Sequence, residues 1–592
     1  MYRVRNTEVR ESRKWRTLVV IAGVLAVFPL LLGRLFYLQV LNAKELARLA
    51  ERQQQRLILV QSRRGSIYDR RLKELAVSVR SYSLFSRPRE VEDFKQVSAQ
   101  LHRILGLAEP EIRKKLKEER GFVWLKRQMD PDEAQQVQSL GTVGLGLIPE
   151  DRRFYPRGQL AGPVLGFVGV DGHGLEGVEY QFDQLLRGKA KKELVQRDAL
   201  GRLLADSVNE GPEASYDLVL NLDEVIQYIA ERELRAKVAE TGARGGSVLL
   251  MDPFTGEILA MAQMPPLNPN QFRGPGRVWR NRVITDSYEP GSTFKVIVMS
   301  AALEESLVTP QSRFFCENGE IAIGGRAVRD HEKFGWLSVA QILTQSSNVG
   351  AIKVAQKLNR DKLYDYIRRF GFGSRTGVDL PGEATGLVRP VKDWSEGSLG
   401  AVPIGQELSV TPLQLVRAVA AIANGGVLPL PHVVREMRRE GEQKILSKLA
   451  AGQRVISEKT SRQMVEILKN AVREGTGKQA AVDGFEVAGK TGTAQKYDPQ
   501  TGSYSRSHYV ASFVGFVPAD RPLFVGLVVI DEPQGGDYWG GSVAAPVFGK
   551  IAAQVLRYLR ISPPLADEHR RDASSRGQVS LDEREWQGSR GG

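Results

Sequence analysis

The segment Glu289-Pro-Gly-Ser-Thr-Phe-Lys295 places a serine and a lysine at the start of an apolar helix, which continues through Val296-Ile-Val-Met299. Because Lys295 follows Ser292 by three residues, a helix brings both side chains to one face. A serine hydroxyl becomes a strong nucleophile when a base takes its proton. A lysine is such a base when burial or a neighbouring positive charge keeps its amine neutral. The segment predicts a lysine-assisted serine nucleophile, although serine after Pro-Gly is also a good helix cap.

A second string, Ser346-Ser-Asn348, follows in a helical part of the chain. The hydroxyl of Ser346 is suited to passing a proton between Lys295 and a leaving amine, and the carboxamide of Asn348 to holding a peptide amide. The pattern alone is weak evidence, because Ser207-Val-Asn209 also fits it. The alternative is a cluster that caps a helix.

A third string, Lys490-Thr-Gly-Thr493, ends the strand-like run Phe485-Glu-Val-Ala488. We expect Lys490 to be the positive neighbour of Lys295, and Gly492 to let the strand edge approach a substrate backbone. The backbone N–H groups of Thr493 and Ser292 are candidates for an oxyanion hole. A substrate carboxylate suits the Lys490 amine and the hydroxyls of Thr491 and Thr493. The alternative is an ordinary edge strand that faces solvent.

The same region formally matches a phosphate-binding loop, Gly484-Phe-Glu-Val-Ala-Gly-Lys-Thr491. A phosphate-binding loop needs a strand before it and a helix after it. Here β-prone residues lie inside the loop and glycine follows at once. Nucleotide binding is therefore not expected.

Composition narrows the function classes for this chain of 592 residues and net charge +14. A single cysteine excludes an intrachain disulfide, and the six histidines are scattered with no spacing typical of metal ligands. We predict no metal and no cofactor. No basic stripe interleaved with aromatic residues is present, so no nucleic-acid partner is predicted; the positive charge suits anionic lipid or cell-wall polymer.

An apolar run near the N-terminus indicates a membrane anchor over residues 17–40. It is uncharged from Thr17 to Gly33 and resumes after Arg34, which is expected to extend its charged end to the membrane interface. Six basic residues against two acidic ones precede the run, which predicts a cytoplasmic N-terminus and an exported remainder. The alternatives are a cleaved signal peptide and a buried core helix.

The strand pattern predicts an antiparallel sheet in the C-terminal part. Residues 246–251 and 257–262 flank a turn, and residues 510–517 and 523–530 form a second pair. The chain between the two pairs is mostly helical, which suggests helices packed on both sides of one sheet.

Taken together, the three strings resemble those of the class B penicillin-binding proteins in order and spacing. Three N-terminal stretches independently resemble the family's pedestal motifs: Arg64-Gly-Ser-Ile-Tyr-Asp-Arg70, Arg153-Phe-Tyr-Pro156 and Gly174-Leu-Glu-Gly-Val-Glu179. The stretches 282–295, 346–349 and 538–547 are most similar to the division-type branch. Leu72, Pro163 and Glu407 depart from the family's usual pattern, which weakens the branch assignment more than the chemistry.

The resemblance implies an α+β multidomain fold. Its parts are a cytoplasmic tail (1–16), a transmembrane anchor (17–40), an elongated β-rich pedestal or dimerisation domain (41–213), a serine β-lactamase-like transpeptidase domain (214–560) and a disordered tail (561–592). The likeness also implies a D,D-transpeptidase in which Ser292 attacks the D-Ala-D-Ala bond of a stem peptide on nascent strands derived from lipid II. An amine of a neighbouring strand then resolves the acyl-enzyme, and β-lactams acylate the same serine.

The implied partners are a SEDS-type glycosyltransferase and other division proteins at the septal inner membrane. An elongation-type relative with the same chemistry is the first alternative. A non-catalytic β-lactam-binding scaffold or sensor is the second, although the intact set Ser292, Lys295, Ser346, Asn348 and Lys490 argues against it. A carboxypeptidase or β-lactamase differs only in letting water resolve the acyl-enzyme.

Overall fold

A computed structural model describes residues 5–60, 62–189, 191–196, 214–271, 279–439, 441–446 and 452–563. The chain divides into two compact units, one of residues 1–63 and 188–215 and the other of residues 64–187 and 216–592. The tail predicted to be disordered lies outside the described residues from 564 onward.

The first unit begins with the long helix α1 (Arg5–Phe36), a π-helical turn (Tyr37–Leu41), helix α2 (Ala43–Gln54) and strand β1 (Gln55–Val60). Residues Arg13–Leu41 form a helical stretch of 29 residues, which contains an 18-residue window with a mean hydropathy of 2.4 and is long and apolar enough to cross a membrane. This stretch fits the predicted anchor. The Arg34 guanidinium lies 5.4 Å from the centroid of the Tyr37 ring, near the end of the apolar run.

Residues 64–187 combine four strands with six helices. The strands are β2 (Ile67–Tyr68), β3 (Glu74–Ser86), β4 (Val123–Met129) and β5 (Leu145–Phe154). The helices are α3 (Phe94–Leu105), α4 (Glu109–Leu116), α5 (Pro131–Ser139), α6 (Gly162–Leu165), α7 (Gly177–Gln181) and α8 (Asp183–Arg187). A further strand, β6 (Lys191–Gln196), belongs to the first unit and pairs antiparallel with β1.

The three pedestal motifs meet at one buried carboxylate. Arg64 contributes a guanidinium 2.7 Å from Glu179, and Arg153 donates to the same side chain at 2.6 Å. Glu179 is fully buried, so its charge depends on these two cations. A second carboxylate, Asp183, accepts from Arg64 at 2.6 Å.

Two larger sheets organise the second unit. The first is a mixed sheet of seven strands in the order β16–β15–β7–β2–β3–β4, with β5 paired to β3. It includes β7 (Asp217–Leu220), β15 (Val434–Arg439) and β16 (Glu442–Ile445). Because β7 pairs in parallel with β2, the pedestal strands and strands of the C-terminal part form one continuous sheet.

The second sheet is the predicted antiparallel one, in the order β18–β19–β20–β8–β9. Its strands are β8 (Gly245–Met251), β9 (Ile258–Met264), β18 (Ala488–Asp498), β19 (Ser503–Val517) and β20 (Phe524–Asp531). Short paired strands complete the set: β10 (Arg313–Phe315), β11 (Glu320–Ile323), β12 (Arg326–Arg329), β13 (Trp336–Ser338), β14 (Val427–Leu428) and β17 (Gln453–Arg454).

Helices cover both faces of this sheet, as predicted. The helices of this part of the chain are α9 (Glu224–Thr241), α10 (Arg282–Thr285), α11 (Lys295–Glu304), α12 (Val339–Thr344), α13 (Asn348–Arg369), α14 (Ser398–Ala401), α15 (Pro412–Ala423), α16 (Glu458–Arg473), α17 (Gly540–Val543) and α18 (Ala545–Tyr558). Alternate residues of β8 enter two different cores: Leu249 packs with α11, α13 and α15, whereas Val248 packs with α9 and α18.

Candidate active site

The predicted nucleophile lies in a tight turn rather than in the first turn of an α-helix. Gly291–Phe294 form a 3₁₀ turn, and the α-helix begins at Lys295. The side-chain hydroxyl of Thr293 donates to the carbonyl of Pro290 at 2.8 Å, and Phe294 packs edge-on against Phe372. These two contacts fix the turn on its buried side, and Ser292 remains partly exposed to solvent.

Lys295 joins the first predicted string to the second. Its side chain is fully buried, and its Nζ donates to the Ser346 carbonyl at 2.5 Å and to Asn348 Oδ1 at 2.7 Å. The Ser346 hydroxyl lies 3.4 Å from the same nitrogen. Burial lowers the pKa of Lys295 to about 7, while the negative charge of Asp330 acts in the opposite direction. A substantial neutral fraction of the amine is therefore present at neutral pH.

The second string forms the corner between α12 and α13. Ser346 has a left-handed backbone (φ +59°), which turns its carbonyl and hydroxyl toward Lys295. Ser347 caps α13, because its hydroxyl accepts from the Gly350 N–H at 2.9 Å. The predicted alternative, a helix cap, is thus realised by Ser347 next to the residues that contact Lys295.

Asp330 holds this corner in place, and the sequence did not reveal it. Its carboxylate accepts the backbone N–H groups of Asn348 and Val349, the latter at 3.1 Å. The Ser347 hydroxyl donates to its other oxygen at 2.8 Å. A carboxylate at a helix N-terminus is favoured by the helix dipole and by the free N–H groups there. Asp330 directly follows strand β12. Its separation in sequence from the Ser346-Ser-Asn348 string matches no recognisable motif.

Lys490 is also buried. Its Nζ donates to the carbonyl and hydroxyl of Thr491, at 3.0 and 3.2 Å. Burial first, and the charge of Lys295 second, lower the pKa of Lys490 well below its usual value. Burial is likewise the main cause of the lowered pKa of Lys295. The expectation that Lys490 acts as a positive neighbour of Lys295 stays a prediction.

The third string lies on β18, the edge strand of the five-stranded sheet. The hydroxyl of Thr491 is 2.6 Å from that of Thr476, and the hydroxyl of Thr493 accepts the Gly540 N–H at 2.9 Å. Both threonines line the cleft. Their hydroxyl groups are therefore oriented by other parts of the same domain.

Gly492 packs closely against the turn that carries Ser292. A Cβ atom at this position would lie 2.9 Å from the Pro290 carbonyl oxygen and 2.9 Å from the Thr293 methyl group. It would also lie 2.5 Å from the hydroxyl of Ser512 on β19. The chain's own nucleophile turn therefore lies close to Gly492, and the absence of a side chain at this position permits the contact. The close approach of a substrate backbone to Gly492 stays a prediction.

These groups surround a cleft of about 550 Å³. Five of the eight predicted site residues line it, whereas Lys295, Lys490 and Gly492 lie behind its wall; the five are Ser292, Ser346, Asn348, Thr491 and Thr493. One side of the cleft is aromatic and was not predicted as part of the site. The rings of Tyr509 and Tyr538 stack at 3.9 Å, and Trp539 lies beside Tyr538 at 5.3 Å. A pair of exposed aromatic residues before Gly540-Gly541 was the available sequence signal.

Among the described residues, no group of three or more His, Cys, Asp or Glu side chains is arranged to hold a metal ion.

Two family models match the chain, the penicillin-binding protein dimerisation domain over residues 59–220 and the penicillin-binding protein transpeptidase domain over residues 246–553. The chain belongs to the class B penicillin-binding proteins. It is a serine-type D,D-transpeptidase, and the two matched regions confirm the predicted pairing of a pedestal with a transpeptidase domain.

Similar proteins extend over nearly the whole chain. Peptidoglycan D,D-transpeptidase FtsI of Escherichia coli K12 is 36% identical over 558 residues, 93% of this chain and 92% of that protein. Stage V sporulation protein D of Bacillus subtilis is 34% identical over 572 residues, 95% of this chain and 88% of that protein. Among solved structures, penicillin-binding protein 3 of Mycobacterium tuberculosis in complex with aztreonam aligns with a TM-score of 0.67 and 29% identity. That alignment covers 86% of this chain and 99% of the other.

Proposed function

We propose that Ser292 is the nucleophile with which this penicillin-binding protein cross-links peptidoglycan stem peptides ending in D-Ala-D-Ala. The observation that carries this proposal is the buried amine of Lys295, held between Ser346 and Asn348 three residues after the serine. A buried amine with a pKa of about 7 is a base suited to a serine hydroxyl at neutral pH.

In the acylation step, neutral Lys295 takes the hydroxyl proton while the Ser292 oxygen attacks the carbonyl of the penultimate D-Ala. The C–N bond to the terminal D-Ala then breaks, and its nitrogen receives a proton through the Ser346 hydroxyl. In the second step the amine of an acceptor strand attacks the ester. A new peptide bond forms as the ester C–O bond breaks. Neutral Lys295 takes the proton that the attacking amine loses and returns it to the serine oxygen.

Substrate placement is proposed for the remaining predicted residues. The Asn348 amide donates one hydrogen to the Arg329 carbonyl at 2.7 Å, which leaves its second amide hydrogen for a substrate carbonyl. The free edge of β18 offers backbone groups to an extended peptide, and the Thr491 and Thr493 hydroxyls suit its terminal carboxylate. The backbone N–H groups of Ser292 and Thr493 are proposed as the oxyanion hole.

Labelling with a fluorescent penicillin tests the nucleophile. We expect the wild-type chain to be labelled covalently at Ser292, identified by the mass of the modified peptide, and Ser292→Ala to remain unlabelled. Lys295→Ala should lose at least about 100-fold in acylation rate, since a general base contributes about that much or more. Lys237→Ala is the control, because this lysine lies on α9 and pairs with Glu240. An unlabelled wild type would favour a scaffold that forms no covalent adduct with penicillin, and labelled Ser292→Ala would exclude this nucleophile.

The fate of the acyl-enzyme distinguishes cross-linking from hydrolysis. A donor stem peptide incubated with a D-amino acid acceptor should give the exchanged peptide as the main product. Release of the shortened donor alone would indicate a carboxypeptidase instead.

We also propose that the enzyme acts in septal wall synthesis, at the inner membrane, with a SEDS-type glycosyltransferase and other division proteins. The similarity to FtsI of E. coli supports this, and the similarity to Stage V sporulation protein D of B. subtilis supports sporulation as the alternative site of action. A fluorescent fusion concentrated at mid-cell constrictions is the expected result. A uniform side-wall signal would favour elongation, and a signal confined to developing spores would favour sporulation.

A further inference from the structure

Glu407 has an unusual backbone conformation next to the nucleophile turn. Its φ is +61°, a region that residues with a Cβ atom seldom occupy unless their surroundings impose it. Gly405, two residues earlier, accepts the Gly291 N–H at 3.1 Å. A Cβ atom on Gly405 would lie 2.1 Å from the Gly291 carbonyl oxygen, so the two backbones are in direct contact. The loop 405–407 thus packs against the turn that carries Ser292.

The backbone N–H of Glu407 contacts Glu289, which lies two residues before the Gly291–Phe294 turn. It donates to Glu289 Oε1 at 3.0 Å, and the Tyr504 hydroxyl of β19 donates to the same oxygen at 3.0 Å. The other oxygen, Oε2, is buried and has no hydrogen-bond partner among the described residues. Glu289 therefore depends on these two donors, one from the loop and one from the sheet.

The chain on either side of this contact is fixed. Tyr288 and Val410 exchange two backbone hydrogen bonds, at 3.0 and 2.9 Å, so the segments before Glu289 and after Glu407 run side by side. With both segments fixed, the φ of Glu407 determines the direction of its N–H. A relaxed, negative φ would turn this N–H away from Glu289.

The Glu407 carboxylate is held by three elements at once. It accepts from Arg389 at 2.6 Å and from the Ser398 hydroxyl at 2.8 Å, and Arg326 of β12 lies 3.4 Å away. The side chain is only 14% exposed. Such over-determination is what a strained backbone requires in order to persist.

We propose that Glu407 and Glu289 are a pair of positioning residues that hold the Pro290–Ser292 turn against Lys295. The clamp on the Glu407 carboxylate imposes the left-handed backbone, and this backbone directs an N–H to Glu289. The inference rests on the proposed role of Ser292 as nucleophile. In support, burial raises the pKa of Glu289 to about 6, with the Tyr504 and Glu407 donors opposing the rise and the negative charge of Glu407 adding to it. The carboxylate thus remains mostly ionised, and a strong acceptor, at neutral pH.

Two substitutions at the same position separate the backbone effect from the loss of the side chain. Both Glu407→Ala and Glu407→Gly remove the clamp in the full chain, but only glycine accepts a positive φ freely. The measurement is penicillin acylation, resolved into the dissociation constant of the initial complex and the acylation rate constant. Glu407→Ala should lower the rate constant about tenfold with the dissociation constant unchanged, because a displaced nucleophile loses rate rather than affinity. Glu407→Gly should stay within about threefold of the wild type.

A double-mutant comparison tests the link to Glu289. Glu289→Ala should also lower the acylation rate constant about tenfold, and adding Glu407→Ala should cause no further loss, because the contact is already broken. Equal rates in Glu407→Ala and Glu407→Gly, or additive losses in the double variant, would overturn the pairing. If Glu407→Ala does not fold, as judged by thermal unfolding, Arg389→Gln weakens the same clamp and should lower the rate in the same direction; an unchanged rate would overturn the proposal. Labelling of Ser292→Ala would instead overturn the nucleophile itself.

Discussion

At the residue scale, Lys295 shows how burial and charge compete over one proton. Removal from water disfavours the ammonium form, and Asp330 favours it. Two further titratable groups interact electrostatically with Lys295. His331 lines the cleft and has its own pKa lowered mainly by burial, and the pKa of Lys490 is also lowered mainly by burial. As a result of this balance the pKa of the Lys295 amine is about 7, so a neutral fraction of the amine is present to accept the serine proton at neutral pH.

This balance predicts the pH dependence of acylation and its change in Asp330→Asn. Because only neutral Lys295 accepts a proton, the wild-type rate should rise with pH through about 7 and then level off. Removing the negative charge of Asp330 lowers the pKa of Lys295 further, so the rising limb should move to lower pH. The plateau should fall, because a cap of α13 is weakened. Stopped-flow acylation between pH 5 and 9 measures both effects.

The matched control for this experiment is Asp365→Asn, which removes a carboxylate that pairs with Arg369 near the other end of α13. Its rising limb should coincide with that of the wild type. A limb that stays in place or moves to higher pH in Asp330→Asn would contradict the assignment of Asp330 as the group that opposes burial.

The sequence predicted which residues would meet at this site, but not the forces between them. The strings were recognised because their hydroxyl, amine and amide groups suit one reaction and because they follow one another in a fixed order. They include Ser292, Lys295, Ser346 and Asn348. The dominance of burial at Lys295 depends on how α11 packs among neighbouring helices, and no local pattern reports that. Asp330 belongs to a short hairpin whose charges look like those of any exposed loop.

At the element scale, strands were predictable where apolar residues recur regularly along the sequence. They were less predictable where charged residues interrupt that pattern. The strands from 245 to 264 and from 503 to 531 were expected within a few residues, apart from the N-terminal extension of β19. The charged stretch of residues 91–140, whose composition favours helices, contains β4, whose Val123, Leu125 and Met129 are buried while charged residues lie between them. Such a strand is recognisable only once the sheet beneath it is known.

The packing of β18 against the nucleophile turn predicts the effect of Gly492→Ala. The added methyl group would press on the Pro290 carbonyl and the Thr293 side chain, so the turn must move away from the strand. We expect the acylation rate to fall by about tenfold to 100-fold, because small displacements of reacting groups are costly. Thermal unfolding should show a loss of about 1–3 kcal/mol from overpacking.

Gly121→Ala is the control for Gly492→Ala, because a Cβ atom at Gly121 meets no other atom within 4 Å. It should leave both acylation and unfolding unchanged. Wild-type acylation in Gly492→Ala, with its stability lowered, would show that the strand tolerates the displacement and that the turn is positioned by other contacts.

At the scale of the whole molecule, the least predictable feature is the sheet shared by the pedestal strands and the C-terminal strands. It depends on β2 and β7, which are two and four residues long and pair in parallel across about 150 positions of sequence. The alternation of residues 217–221 predicts a strand there, but a segment this short does not indicate which strand it pairs with. Domain boundaries inferred from composition consequently stay predictions, and the compact units join residues 64–187 to the C-terminal part.

The predicted topology is the property of the whole chain most directly open to experiment. Basic residues cluster before the apolar helix at positions 3, 5, 10, 13, 14 and 16, against acidic residues at positions 8 and 11. The positive-inside bias therefore predicts an N-terminus in the cytoplasm and a transpeptidase domain outside it. Protease added to spheroplasts should destroy a C-terminal tag and leave a short membrane-bound fragment carrying an N-terminal tag.

A charge reversal on each side of the helix makes this test specific. Replacing Arg13, Lys14 and Arg16 by glutamate should reduce the correctly oriented fraction, seen as C-terminal tag that survives protease and as loss of penicillin labelling on intact cells. Replacing Lys44 and Arg48 of α2 by glutamate should leave the orientation unchanged, because those residues follow the apolar stretch. Survival of the wild-type C-terminal tag, or its loss together with the N-terminal one, would contradict a single span with a cytoplasmic N-terminus.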